Sequence, residues 1–391
     1  MSARPENIVG ANAERSRSHN RQVVLGRVRA AGQVGRAEIA RASGLSTQAV
    51  SNIIADLLDQ GMIVEQGRRA AARGQPPVQY ALNPAGGYAF GVEIRPDAVF
   101  AALLDFAGRT VFSERRSLAS SDRGTVTATV LALKAEALAA ADVPGARVLG
   151  AGIVMPGPFG ATGIRGSGSE LTAWEDTDPF TWFSDALGMP VFVENDANAA
   201  AMAERVSGAA AGMESYAFIY FGAGLGLGVV SGGRLMTGAF GNAGEIGHIP
   251  VPCGGETVAL ESAVSRLSAQ RHLATAGIDA PRLETLAELC ETGDRALRAW
   301  LDRAVEPLTA AITIVENLLD PQAVILGGAM PDTVLDHLIG AVALPDRSVA
   351  NRTDRTHPRL IRGASGRMTA TLGAAALVIN LACTPKIAVA H

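Results

Sequence analysis

Residues 193–204 read VENDANAAAMAE, and residues 241–251 read GNAGEIGHIPV. The first stretch leaves a short apolar strand, Val191–Val193, and turns at once into the polar run Asn195-Asp196-Ala197-Asn198. The second carries Gly244-Glu245-Ile246-Gly247-His248. Between them lie two β-like runs, Tyr216–Phe221 and Gly226–Ser231, joined through the glycine run Gly222–Gly228, and a third at Arg234–Thr237. Downstream, Gly327-Gly328 follows the strand Ala323–Leu326, and an apolar helix is predicted over Thr369–Cys383. Upstream the same pattern occurs once before. Tyr88–Ile94, Val99–Asp105 and Arg109–Ser117 read as a three-strand meander, followed by an alanine-rich helix at Thr125–Ala141 and a buried strand at Val148–Met155. Two meander-plus-helix halves imply an α/β fold of two lobes with a cleft between them.

Each motif alone has an ordinary explanation. An Asn-Asp pair is commonly a cap or turn, and a glycine-rich hairpin is more often a tight turn than a phosphate cradle. Their order, spacing and strand-end placement together point to one polar site. A sugar presents vicinal hydroxyls, each both donor and acceptor. Carboxylates and an amide suit adjacent hydroxyls in a half-buried site.

Taken together, VENDANAAAMAE, GNAGEIGHIPV, FGAGLGLGVVSGGRLMTGAFG at 221–241 and VILGGAM at 324–330 resemble the ROK family of repressors, open reading frames and sugar kinases. The resemblance extends from about Arg21 to Cys383. It implies the two-lobed actin-like, ribonuclease-H-like sugar-kinase fold. It also implies that Asn195, Asp196, Glu245, His248 and Glu261 bind sugar, with Asp196 in the position of the catalytic base. Two departures qualify the kinase reading. Where ROK kinases carry a Gly-Gly-Thr phosphate loop after an Asp-containing strand, this chain has Glu93-Ile94-Arg95-Pro96-Asp97, with no glycine in the turn. Pro96 lacks an N–H donor, and Asp97 adds negative charge that Arg95 is expected to offset in part. Asp196 is therefore a vestigial base, and no cofactor is expected. The family also implies a structural zinc held by a cysteine cluster between the histidine and the following glutamate. Here residues 249–260 offer Cys253 alone, so no metal is expected. A third departure is Glu170, which stands where sugar-binding relatives often have Asn, shortly before Trp174.

Ahead of this body stands a different pattern. Val23, Val24, Val28 and Ala31 have helical spacing; Arg36–Ala42 forms a short helix stopped by Gly44; Ser46 to about Gln60 forms another, capped by Ser46 or Thr47, with Val50, Ile53, Ile54, Leu57 and Leu58 as its apolar stripe. Met62–Glu65 and Val78–Leu82 are β-like and enclose a basic tip at 67–77. This order is that of a winged helix-turn-helix. Residues 1–17 read as a flexible arm, 18–84 as the DNA-binding domain, with its boundary at Asn83-Pro84-Ala85-Gly86-Gly87, and 85–391 as the ligand-binding domain. Ser46, Thr47, Gln48, Ser51 and Asn52 are the candidate base and phosphate contacts on the recognition helix; Arg68, Arg69 and Arg73 are those on the wing.

Charge supports that division. Residues 1–82 hold eleven Arg, no Lys and six acidic residues, a balance of +5; the remainder holds 23 basic and 32 acidic residues, a balance of −9. A basic head on an acidic body fits a polyanionic partner. Hydrophobic residues at 48% exclude global disorder. No apolar run approaches the ~18 residues of a membrane span, and the polar N-terminus lacks a secretory apolar core. Three widely spaced cysteines, Cys253, Cys290 and Cys383, form no disulfide framework. The expectation is a cytoplasmic, sugar-responsive transcriptional regulator of carbohydrate genes, most simply a repressor. Its expected partners are double-stranded operator DNA and a sugar or sugar-phosphate effector, and it is expected to form a homodimer or homotetramer. An active ATP-dependent sugar kinase with a fused DNA-binding head is the alternative. A second rival is a constitutive DNA-binding scaffold whose body only dimerises.

Overall fold

The computed structural model describes residues 13–68, 77–157, 171–174, 177–222, 224–366 and 368–384. The chain divides into two compact units, one of residues 1–154, 170–193 and 374–391, the other of residues 155–169 and 194–373.

The first unit begins with the head. Helix α1 (Ala13–Ala31) buries Val24, Leu25 and Val28. It includes residues 13–17, assigned above to the flexible arm; Ala13-Glu14-Arg15-Ser16-Arg17 contains no Gly or Pro to stop a helix, so α1 runs back through it. Strand β1 (Val34–Gly35), α2 (Arg36–Ser43) and α3 (Thr47–Asp59) follow. Gly44 ends α2 in the left-handed region, with φ 70°. Ser46, not Thr47, caps α3: its Oγ accepts from the Ala49 N–H at 3.2 Å. Val50, Ile54 and Leu57 are fully buried, while Ile53 and Leu58 remain partly exposed. The wing strands are β2 (Ile63–Arg68) and β3 (Val78–Leu82), and β1 joins them in a three-stranded sheet of order β1-β3-β2.

The body of this unit is a sheet of order β6-β5-β4-β7-β8. Its strands are β4 (Tyr88–Ile94), β5 (Ala98–Asp105), β6 (Thr110–Ser117), β7 (Val148–Val154) and β8 (Val191–Glu194), with α4 (Arg123–Ala140) and α5 (Pro179–Leu187) between them. Strand β5 is buried along its whole length, whereas β6 is an exposed edge. The head is tied to this body. The Gln22 Nε2 donates to the Leu381 carbonyl at 3.0 Å, and Arg147 donates to the Gln60 carbonyl at 3.0 Å.

In the second unit, α6 (Asp196–Ser207) precedes a sheet that repeats the order as β11-β10-β9-β14-β15. Strands β9 (Tyr216–Phe221), β10 (Leu225–Ser231) and β11 (Arg234–Leu235) form the meander, while β14 (Val324–Gly328) and β15 (Leu360–Ser365) are parallel to it. Strand β11 is shorter than the Arg234–Thr237 predicted, because the chain leaves the sheet for a loop with Gly238 and Gly241 at positive φ. The sequence reading missed a hairpin, β12 (Pro250–Cys253) and β13 (Glu256–Ala259). Helices α7 (Leu260–Ala263), α8 (Arg266–Thr275), α9 (Leu283–Glu291), α10 (Arg295–Leu319) and α11 (Asp332–Ala341) complete the unit. Leu297, Trp300, Leu301, Ala304, Leu308, Ala311, Ile312 and Val315 give α10 a continuous buried stripe. Helix α12 (Thr369–Cys383) starts in this unit and continues into the first from Ala374. No helix among the described residues is long and apolar enough to cross a membrane.

Candidate functional site

The site grows from the strand-to-helix junction of β8 and α6. Asn195 is buried and caps α6, its Oδ1 accepting from the Asn198 N–H at 2.8 Å. The cap uses the amide oxygen and leaves the NH2 as the group that offers hydrogen bonds. Asp196 is the first helical residue; its Oδ1 accepts from the Ala197 N–H at 2.9 Å, where the helix dipole favours a carboxylate. Behind them, Asn198 is completely buried and its Nδ2 donates to Glu194 Oε2 at 2.9 Å. The Asn198 Oδ1 has no hydrogen-bond partner. Burial raises the Glu194 carboxyl above the usual carboxylate range, against the opposing pull of bonds from Asn198 and the Asn195 backbone.

Glu245 and His248 come from the turn ahead of β12, and Glu261 from α7. The imidazole lies between the two carboxylates: Nε2 is 3.7 Å from Glu245 Oε2 and Nδ1 is 3.9 Å from Glu261 Oε1. All three side chains are about one-third exposed, which leaves them open to a ligand. Burial raises the Glu245 carboxyl, the Glu261 charge adds to that rise, and His248 opposes it. Gly157 connects the two halves, because a methyl group placed on it would lie 3.8 Å from both Asn195 Cβ and Glu245 Oε1. The structure thus brings Asn195, Asp196, Glu245, His248 and Glu261 into one place.

The glycine run explains how they fit so closely. A methyl on Gly226 would fall 2.7 Å from Ala197 Cβ, and one on Gly228 would fall 2.5 Å from the Ala197 carbonyl oxygen, so α6 lies directly on β10. A methyl on Gly224 would fall 2.5 Å from Glu261 Oε2, and one on Gly222 would fall 3.4 Å from Asp196 Oδ2. Gly226 and Gly228 make room for the helix, a use that neither the turn reading nor the phosphate-cradle reading anticipated.

In the head, Ser46, Thr47, Gln48 and Asn52 are exposed on α3 and Ser51 partly so. Gln48 Nε2 donates to Asn52 Oδ1 at 3.0 Å, which aligns two amides on the outer face of the helix. Arg68 is the last residue of β2, while Arg69 and Arg73, like Glu170, lie outside the described residues.

The sequence profile described as the ROK family matches residues 89–380. The chain belongs to the ROK family. It is 24% identical over 364 residues to the DNA-binding transcriptional dual regulator NagC of Escherichia coli K12, covering 89% of each chain. It is 24% identical over 318 residues to the xylose repressor of Caldicellulosiruptor bescii, covering 75% of this chain and 79% of that one. Its fold matches the crystal structure of a ROK family transcriptional regulator, a homologue of E. coli Mlc, with a TM-score of 0.71 at 24% identity over 94% of this chain and 97% of the other.

Two places depart from what ROK sugar kinases imply. In the β4–β5 turn, Arg95 turns back onto the β4 carboxylate. It binds Glu93 Oε1 at 2.6 Å and lies over the Phe100 ring at 4.5 Å, while Arg115 takes Asp97 at 3.2 Å. Glu93, the residue in the position of the ROK kinase aspartate, is therefore held in an ion pair. The second place is the ROK zinc segment. Residues 250–259 form the β12–β13 hairpin, Cys253 is buried, and its Sγ accepts from Arg303 Nε at 3.4 Å. Cys253 is the one cysteine of residues 249–260 and is engaged by Arg303, so this segment does not offer the cysteine cluster that the family's zinc implies. The sequence reading also overlooked Glu194 and Asn198. Both lie within the VENDAN motif, but only burial distinguishes their role from that of the helix around them.

Proposed function

We propose that this ROK protein is a transcriptional repressor that binds operator DNA through its winged head and responds to an uncharged sugar held by Asn195, Asp196, Glu245, His248 and Glu261. The observation that carries this reading is the presence, in one chain, of an α3 with an exposed polar face and a ROK body with a convergent carboxylate–amide–imidazole cluster. Its similarity along nearly the whole chain to a DNA-binding regulator, and along three-quarters of it to a xylose repressor, supports the same reading. Three carboxylates beside one imidazole repel a phosphate, which favours a neutral sugar over a sugar phosphate. The protein works in the cytoplasm as a homodimer or homotetramer. Asp196 acts as a hydroxyl acceptor, not as a base. The test is fluorescence anisotropy with promoter fragments upstream of sugar-uptake genes, titrated with D-xylose, D-glucose, N-acetyl-D-glucosamine and the 6-phosphates of the last two. Specific retention at moderate salt, weakened by a neutral sugar, is expected. No specific retention by folded protein overturns the DNA-binding reading, and tighter binding of a phosphate than of its parent sugar overturns the effector class.

A further inference from the structure

The hairpin that stands where ROK relatives have a zinc loop is built to hold one register. Pro250 pairs with Ala259, Val251 with Val258, Pro252 with Thr257 and Cys253 with Glu256, and the Leu260 N–H donates to the Ile249 carbonyl at 3.0 Å. Bonded and non-bonded pairs alternate along an antiparallel ladder. The bonded pairs here are Ile249–Leu260, Val251–Val258 and Cys253–Glu256, so both prolines occupy positions that need no N–H. A slip of one residue puts a proline at a bonded position and turns buried Val251 and Cys253 outward. The two-residue turn Gly254-Gly255 has φ of 60° and 87°, positive at both positions as a tight hairpin turn requires. The tip is fastened to α10 by two contacts. The Gly254 N–H donates to Glu306 Oε2 at 2.8 Å, and Arg303 Nε donates to the Cys253 Sγ at 3.4 Å.

One residue beyond the Ile249–Leu260 pair, the hairpin leads on one side into the turn that ends at His248 and on the other into α7 at Glu261, and these two side chains approach to 3.9 Å in the candidate site. We propose that this hairpin, clamped by Arg303 and Glu306, is a metal-free template that places His248 against Glu261 for effector recognition. Gly254, Gly255, Arg303 and Glu306 are then positioning residues: none touches the effector, and each acts through the register. The proposal rests on the reading of that cluster as the effector site.

Calorimetry with D-xylose, D-glucose and N-acetyl-D-glucosamine, together with amide exchange over residues 249–260, tests it on the full chain. Nothing lies within 4 Å of a methyl placed on Gly254, so a substitution there acts through backbone strain alone. Gly254→Val is expected to weaken binding of the responsive sugar by about tenfold or more. Gly254→Asn, which tolerates positive φ, is expected to restore it. Glu306→Ala should weaken binding and Glu306→Gln, which keeps an acceptor, should not. EDTA should change neither affinity nor exchange, and metal analysis should show no stoichiometric zinc. Equal affinity in Gly254→Val and wild type, or zinc whose removal abolishes binding, overturns the proposal. If the wild type binds none of the three sugars, the effector reading fails separately and exchange decides the template. Protection kept in EDTA and lost in Gly254→Val supports it, and protection lost in EDTA overturns it.

Discussion

At the scale of single residues, half-buried Glu194 and buried Asn198 make the sharpest prediction. Asn198 donates to the carboxylate, but its own Oδ1 is buried without a partner, and such an acceptor costs on the order of 1–3 kcal/mol. Protonation of Glu194, which its desolvation favours, adds an O–H donor beside the Asn198 amide. The sign follows. A carboxyl whose folded pKa is raised contributes most below its unfolded pKa, and that contribution is lost as pH rises through the folded value. Glu194→Gln supplies a permanent donor, so it should stabilise the protein by about 1 kcal/mol near pH 8 and by less near pH 5. Urea unfolding at the two pH values checks this; a variant less stable than wild type at the higher pH removes the argument. In the proposed effector site, Asp196→Asn and Glu245→Gln exchange charge-assisted bonds for neutral ones. Each should weaken sugar binding without changing operator affinity in the absence of sugar. Unchanged calorimetric affinity in both variants places the site elsewhere.

At the scale of elements, the proposed DNA binding assigns α3 and the wing different kinds of contact. The exposed Gln48–Asn52 pair suits base edges, whereas Arg68, Arg69 and Arg73 suit phosphates. Gln48→Ala or Asn52→Ala should relax base preference at a cost of about 1–3 kcal/mol where the lost contact is bidentate. Neutralising one wing arginine should weaken binding to all sequences alike and lower the slope of log K against log salt by about 0.9. Binding measured across a salt series on specific and scrambled DNA separates the two outcomes. If the α3 variants lose affinity for both DNAs equally, α3 does not read sequence.

At the scale of the whole molecule, the Glu93–Arg95 pair and the glycine-free turn after it remove two devices on which phosphoryl transfer depends, positioning and neutralising the phosphates. ATP turnover with any sugar that stabilises the protein should stay below the enzyme range of roughly 1–10³ per second. Turnover within that range, abolished by Asp196→Ala, makes the protein a kinase. A repressor released by sugar, as proposed, must also link DNA and sugar binding reciprocally. The factor by which sugar weakens operator affinity must equal the factor by which operator weakens sugar affinity. Titrating sugar with and without bound operator checks the equality, and a sugar affinity indifferent to DNA excludes a repressor controlled by that sugar.

The local patterns decided much by themselves. The apolar spacing of α3, the glycine after α2 and the arginines flanking the wing specify a head, because a helix or hairpin depends on side-chain periodicity and turn chemistry within a few residues. The motifs at 193–204 and 241–251 pointed, through their resemblance to the ROK family, to the candidate residues Asn195, Asp196, Glu245 and His248, and the segment Leu260–Ser265 pointed to Glu261. Other features depended on residues distant in the chain. The need for glycine at Gly228 comes from the Ala197 carbonyl on α6, Arg95 lies over Phe100 and Asp97 pairs with Arg115 on neighbouring strands, and the β12–β13 hairpin is held by Arg303 and Glu306 on α10. Close packing and burial set those contacts. They are properties of the assembled tertiary structure and leave no local periodicity to read.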